Sequence, residues 1–256
     1  MSAVDTAGPT VSRELAPSTP RRVWNVVRLH ASTPWPSIYL PWLIMLAVFA
    51  MEYAIWHIVD AATDGPMDDG SFQLNGSVSW ILIYLMVAAV QAMNLTFRFA
   101  LGLSVTRRDY YLGTSLYFAL LSLMYGVGIA ALGALEGLTD GWGINGEFFA
   151  PAGLADLPWW QVCYVYVLLT AFFVYVGAAV ATLYQRWNSN GIVAFFVGLG
   201  VTAVGAAWFI TVAERWSDVG AFFVKYQLVG TASWSLLPTA LAGVFGYLVL
   251  RRATPK

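Results

Sequence analysis

Between two long apolar runs the chain reads RFALGLSVTRRDYYLGTSL, residues 98–116, which gathers Arg98, Arg107, Arg108 and Asp109 in one charged interruption. Thr106 and Asp109 stand in the S/T-x-x-D/E spacing of a helix N-cap, in which the threonine oxygen accepts the backbone N–H three residues on. A helix starting there is expected to project Arg107 and Arg108 into water while Tyr110, Tyr111 and Leu112 lead back toward the lipid interface. Three other polar residues fall inside apolar runs, where a polar group is costly unless it meets protein or water. These are Glu52, in LAVFAMEYAIWHIV, and Gln91 and Asn94, which are three apart and so share a helix face. Glu52 either lines a substrate path or pairs with a neighbouring helix, and Gln91 with Asn94 either lines a cavity or bridges helices. His57, beside Trp56, reads as an interfacial residue.

The elements that must position these residues follow from composition. Of 256 residues 59% are hydrophobic and 11% charged, and the mean hydropathy is +0.67, which defines an integral membrane protein. Helical runs of about 20 apolar residues span a bilayer core, and six are present, roughly 37–59, 78–97, 111–135, 159–184, 191–213 and 232–250. None alternates polar with apolar as a barrel strand would. The expected fold is all-α, a six-transmembrane-helix bundle.

Eleven of the thirteen lysines and arginines fall on one side of that bundle: Arg13, Arg21, Arg22 and Arg28, then Arg98, Arg107 and Arg108, then Arg186, then Arg251, Arg252 and Lys256. Short basic loops stay in the cytoplasm, so both termini are expected there. The opposite loops carry Asp60, Asp64, Asp68 and Asp69, then Glu136, Asp140, Glu147 and Asp156. The first of these clusters lacks the alternate spacing and closing glutamate of an EF-hand and reads as a solvated turn. No metal site is expected, and the net charge of -1 points to no nucleic-acid partner. Cys163 is the lone cysteine, which rules out an intrachain disulfide.

Residues 1–19 are rich in Ala, Ser, Thr and Pro and are expected to form a disordered cytoplasmic tail; residues 251–256 are expected to be a short cytoplasmic tail at the other end. Residues 20–33 differ. A period of 100° puts Arg21, Asn25 and Arg28 on one face and Val23, Val26, Val27 and Ala31 on the other, with Trp24 at the edge and Arg22 between. That pattern predicts an amphipathic helix lying in the membrane interface, ended by Pro34 and Pro36. Small residues recur every four at Gly126, Ala130 and Ala134, at Gly198, Thr202 and Ala206, and at Ala242 and Gly246, spacings that let helix backbones approach closely.

With its basic amphipathic lead-in, six runs and the phrase FALGLSVTRRDYYLGTSL after the second run, the chain resembles the permease subunits of bacterial ABC transporters of the six-helix export type. The resemblance implies that Val105, Thr106, Arg107, Arg108, Asp109, Tyr110, Tyr111, Leu112 and Gly113 form a coupling helix resting on a separate ATPase. Residues 21–31, with Arg21, Arg22, Trp24 and Arg28, would be the connecting helix. It implies a second copy of this permease or a related one as partner, a place in the bacterial plasma membrane, and export of a hydrophobic or amphipathic substrate. No cofactor is expected in this chain: it has no G-x-x-x-x-G-K-[ST] loop, so ATP and Mg belong to the partner. An enzyme is not expected, because Ser115 has no His or paired acid near it in sequence and Glu52 is the sole carboxylate inside a run. The alternative is a secondary transporter working without an ATPase, which needs only a few intramembrane polar groups.

Overall fold

The computed structural model describes residues 19–62, 79–151 and 153–251, and every regular element among them is a helix. The expected tail 1–19 up to residue 18, most of the acidic turn at 60–70, and residues 252–256 lie outside the described part. In chain order the helices are α1 (Thr19–Ala31), α2 (Leu40–Ala62), α3 (Ser79–Gly102), α4 (Arg107–Leu138), α5 (Trp159–Val212), α6 (Trp216–Trp234) and α7 (Leu236–Arg251). Among the described residues five segments are long and apolar enough to cross a membrane: Trp35–Ala62, Ser79–Gly102, Arg107–Leu138, Trp159–Val212 and Trp216–Arg251. The six expected runs fall within these five, the fourth and fifth together occupying the 54-residue α5.

Alpha-helical geometry does not run unbroken through α5. Asn188 has φ 55° and ψ -151°, outside the helical region. A Cβ on Gly191 would lie 3.3 Å from the carbonyl oxygen of Leu183, whereas eight residues of straight helix rise about 12 Å. The chain therefore bends back sharply at Asn188.

Prolines shape the entry to α2. A π-helical turn spans Trp35–Tyr39, with the Leu40 N–H reaching back to the Trp35 carbonyl. Pro41 has no N–H, so the carbonyls of Pro36 and Ser37 lose a helical donor. Tyrosines replace it: Tyr84 Oη donates to Pro36 O at 3.1 Å and Tyr125 Oη donates to Ser37 O at 2.9 Å. In a lipid surrounding an orphan carbonyl is expensive, which is why these phenols from α3 and α4 are aimed at the bend.

The packed core joins α3, α4 and the first half of α5. Glycines allow the approach: a Cβ on Gly126 would meet Val167 N at 2.8 Å, and one on Gly177 would collide with the Met86 carbonyl. Of the expected small-residue rows, Gly126 with Ala130 and Gly246 are packed, Gly246 against Tyr111. Ala134 is exposed, and Gly198 has nothing within 4 Å. The second half of α5 presents Val197, Val201, Val204 and Trp208 outward, a surface that water would not tolerate and lipid does.

Candidate functional site

The charged stretch at residues 98–116 does not form a separate short helix. Thr106 caps α4 itself, its Oγ1 accepting from Asp109 N at 3.1 Å, and residues 107–113 are the first two turns of that 32-residue helix. Helix continuity explains the difference: nothing between Tyr110 and Gly113 interrupts the backbone pattern, so the span extends four residues earlier than its apolar run. Tyr110 and Tyr111 accordingly face protein. Tyr110 is fully buried, its Oη sharing a hydrogen bond of 2.8 Å with Thr96 Oγ1, and Tyr111 Oη donates to the Gly243 carbonyl of α7.

Helix α1 lies against this start of α4. Its amphipathic pattern is as the sequence predicts, with Arg21, Trp24, Asn25 and Arg28 exposed and Val26 and Val27 buried, but the apolar side is covered by α4. Ala31, expected on the buried face, is exposed because α1 ends there. Three contacts fix the junction. Arg22 Nη1 stands 3.7 Å from the buried carboxylate of Asp109. Val26 fills the space over Gly113, where a Cβ would come within 2.5 Å of it. His30 Nε2 shares a hydrogen bond of 3.0 Å with Thr114 Oγ1, its ring stacked 5.0 Å from that of Tyr117. Burial pushes the His30 imidazole down from its ordinary value of 6.5 to about 4, so the ring is neutral at pH 7.

The two arginines have different places. Arg107 Nη1 donates to the Arg251 carbonyl at 3.2 Å, satisfying the last turn of α7 where helix carbonyls are otherwise unpaired. Arg108 is exposed and has no hydrogen-bond or ion-pair partner among the described residues.

Next to the junction lies a cavity of about 210 Å³ whose polar lining includes His30, Ser37, Gln91, Thr96 and Tyr117. Gln91 lines it and Asn94 does not, although Asn94 Oδ1 is buried and unpaired. Glu52, half-buried on α2, is not part of that lining. The three residues expected along a substrate path are thus not gathered in this one cavity.

A second polar centre was not singled out by the sequence. Glu136, counted there as one of several outer acids, is buried in the last turn of α4. Its carboxylate accepts Trp142 Nε1 at 2.9 Å and the backbone N–H groups of Phe148, Phe149 and Ala150 at 2.9 to 3.2 Å. Tyr166 Oη in turn donates to the Phe149 carbonyl at 2.6 Å. This is an anchor that ties the loop after α4 onto the bundle. The glycines of GLTDGWGING were its one sequence signal, since they let the loop double back onto the helix end.

Comparison with protein-family models, with curated proteins and with solved structures returns no match for this chain. What the fold defines is a multi-pass, all-α membrane protein whose leading amphipathic helix is locked onto the start of a transmembrane helix.

Proposed function

We propose that the chain is the permease subunit of an ABC transporter of the six-helix export type, exporting a hydrophobic or amphipathic substrate with ATP hydrolysed by a separate subunit. In this reading the bend at Asn188 divides α5 into two passes, which makes six, both termini are cytoplasmic, and two permease chains assemble with two ATPases in a bacterial plasma membrane. ATP and Mg reside in the partner.

The observation that carries the reading is the junction of α1 with α4. A load applied to an arginine on either helix is transmitted to both, because the Arg22–Asp109 pair, the Val26–Gly113 contact and the His30–Thr114 hydrogen bond join them. The arginines left outward are Arg21 and Arg28 on α1 and Arg108 on α4. An ATPase surface with complementary acids would dock there, and the rigid junction would pass its movement into the long helix.

The test is co-purification of the ATPase and substrate-stimulated ATP hydrolysis, at matched abundance and confirmed orientation. Arg108→Glu, and separately Arg21→Glu with Arg28→Glu, should weaken association by about tenfold or more, since opposed like charges cost several kcal/mol. Neutral Arg→Gln replacements should lose less. Full association and stimulation in all of these variants would leave the arginines as topology signals and remove the support for coupling.

A further inference from the structure

An open groove of about 590 Å³ runs between α4 and α7, with Tyr175 of α5 at its floor. It combines a long apolar wall with a cation that has no hydrogen-bond or ion-pair partner among the described residues. The wall follows α7 from Tyr247 to Leu236, about 16 Å at the helical rise. Three of its five hydroxyls are engaged with backbone carbonyls: Tyr111 donates to Gly243 O, Tyr175 to Ser115 O at 3.0 Å, and Thr239 to Ser235 O at 2.7 Å. Between them the wall is hydrocarbon, from Leu112, Leu236, Ala240 and Val244. At the Tyr247 end stands Arg108, exposed and without a partner among the described residues, while its neighbour Arg107 is committed to the Arg251 carbonyl and adds its own charge to the same end.

We propose that this groove is a binding site for an anionic phospholipid, with the phosphodiester headgroup on Arg108 and one acyl chain laid along α7 toward Leu236. The commitment to a lipid rests on charge and shape together. A guanidinium binds phosphate oxygens in a planar fork, and the apolar wall beside it is matched by a hydrocarbon tail. Headgroup binding at the cytoplasmic end of a span is also where basic residues meet anionic lipid at a gain near 1 kcal/mol each. The proposal does not depend on the transporter reading, because it needs neither an ATPase nor a second permease chain.

The experiment uses the purified full-length chain alone, in phosphatidylcholine vesicles carrying a trace of photoreactive phosphatidylglycerol or photoreactive phosphatidylcholine with the reactive group on the acyl chain. Cross-linked peptides are mapped by mass spectrometry. Labelling of residues 236–247 by the glycerol lipid should exceed that by the choline lipid about fivefold, and Arg108→Gln should abolish the preference. Ala240→Phe, which fills the exposed groove without touching Arg108, should reduce labelling by both lipids there while leaving labelling of the outer face of α5 unchanged. Equal labelling by the two lipids, or a preference that survives Arg108→Gln, would overturn the proposal. So would displacement of the label by soluble glycerol phosphate, which would assign Arg108 to a free anion.

Discussion

Glu136 shows how much one carboxylate can hold. Removing it leaves three buried backbone N–H groups and an indole N–H without their acceptor. Glu136→Ala is therefore expected to destabilise the chain by about 3 kcal/mol or more, because each buried donor left unpaired costs the desolvation of that group. Glu136→Gln keeps an acceptor oxygen and should cost less. Thermal unfolding in detergent, with protease sensitivity of residues 139–157 as a local readout, checks both; equal stability of Glu136→Ala and the parent would dismiss the anchor. The contrast with Thr106 explains what a sequence reveals at this scale. A cap depends on residues three apart, so Thr106 and Asp109 were legible. The partners of Glu136 lie up to fourteen residues away and all but the Trp142 indole are backbone groups, which no side-chain pattern marks. Arg107 and Arg108 look equivalent in sequence for the same reason, since only the fold brings the end of α7 to one of them.

At the scale of elements, periodicity identified α1 and its two faces but not what covers them. An apolar helix face is the same pattern whether lipid or another helix buries it, and Val26 over Gly113 decides for α4. Two predictions belong to this junction. Gly113→Leu should force α1 away, since a side chain there must occupy the position of Val26 and overpacking costs about 1 to 3 kcal/mol. Spin labels on α1 and α4 would report the separation, and an unchanged distance would show that α1 is not seated as described. The second prediction concerns pH. Docked, His30 holds its neutral form down to about pH 4, whereas a detached histidine takes a proton near 6.5. The detached state thus binds more protons between those values. Docking is fully supported above about pH 6.5 and is weakened as pH falls toward 4, by an amount on the order of 3 kcal/mol. The facing groups are Thr114, Tyr110, Tyr117 and Phe118 of α4, with the Asp109–Arg22 pair nearby, so the comparison must isolate the imidazole. The parent should lose α1 docking between about pH 7 and about pH 4.5 while His30→Gln changes less over that range. Parallel curves for the two would assign the acid response to another group.

Across the whole molecule, the apolar runs were legible as length and composition, and their boundaries were not. The start of α4 moved from Tyr111 to Arg107, because a capped helix continues through charged residues that a hydropathy reading excludes. The turn at Asn188 was legible: it falls in the break that the sequence places between residues 184 and 191, where Asn188, Ser189, Asn190 and Gly191 interrupt the apolar pattern. That turn determines the parity of the fold. If α5 makes two passes, Gly146 and Glu214 lie on one side of the membrane and Asn188 and Arg251 on the other. If α5 made one tilted pass, Asn188 would sit within the bilayer and Gly146 would lie opposite Glu214. Single cysteines at these four positions in a Cys163→Ala background separate the cases, because a membrane-impermeant thiol reagent labels only the outer side of intact cells. The expected result is labelling at 146 and 214 in intact cells, and at 188 and 251 only after permeabilisation. The direction follows from the proposed topology, in which Arg186 beside the bend lies with the other arginines on the cytoplasmic side. Labelling at 146 without 214, together with no labelling at 188 under either condition, would establish a single pass and with it an odd number of spans. The two termini would then lie on opposite sides, and the leading helix α1 and the end of α7 could not both meet a cytoplasmic partner. That outcome would conflict with the Arg107 contact to the Arg251 carbonyl, which requires the start of α4 and the end of α7 to share one side.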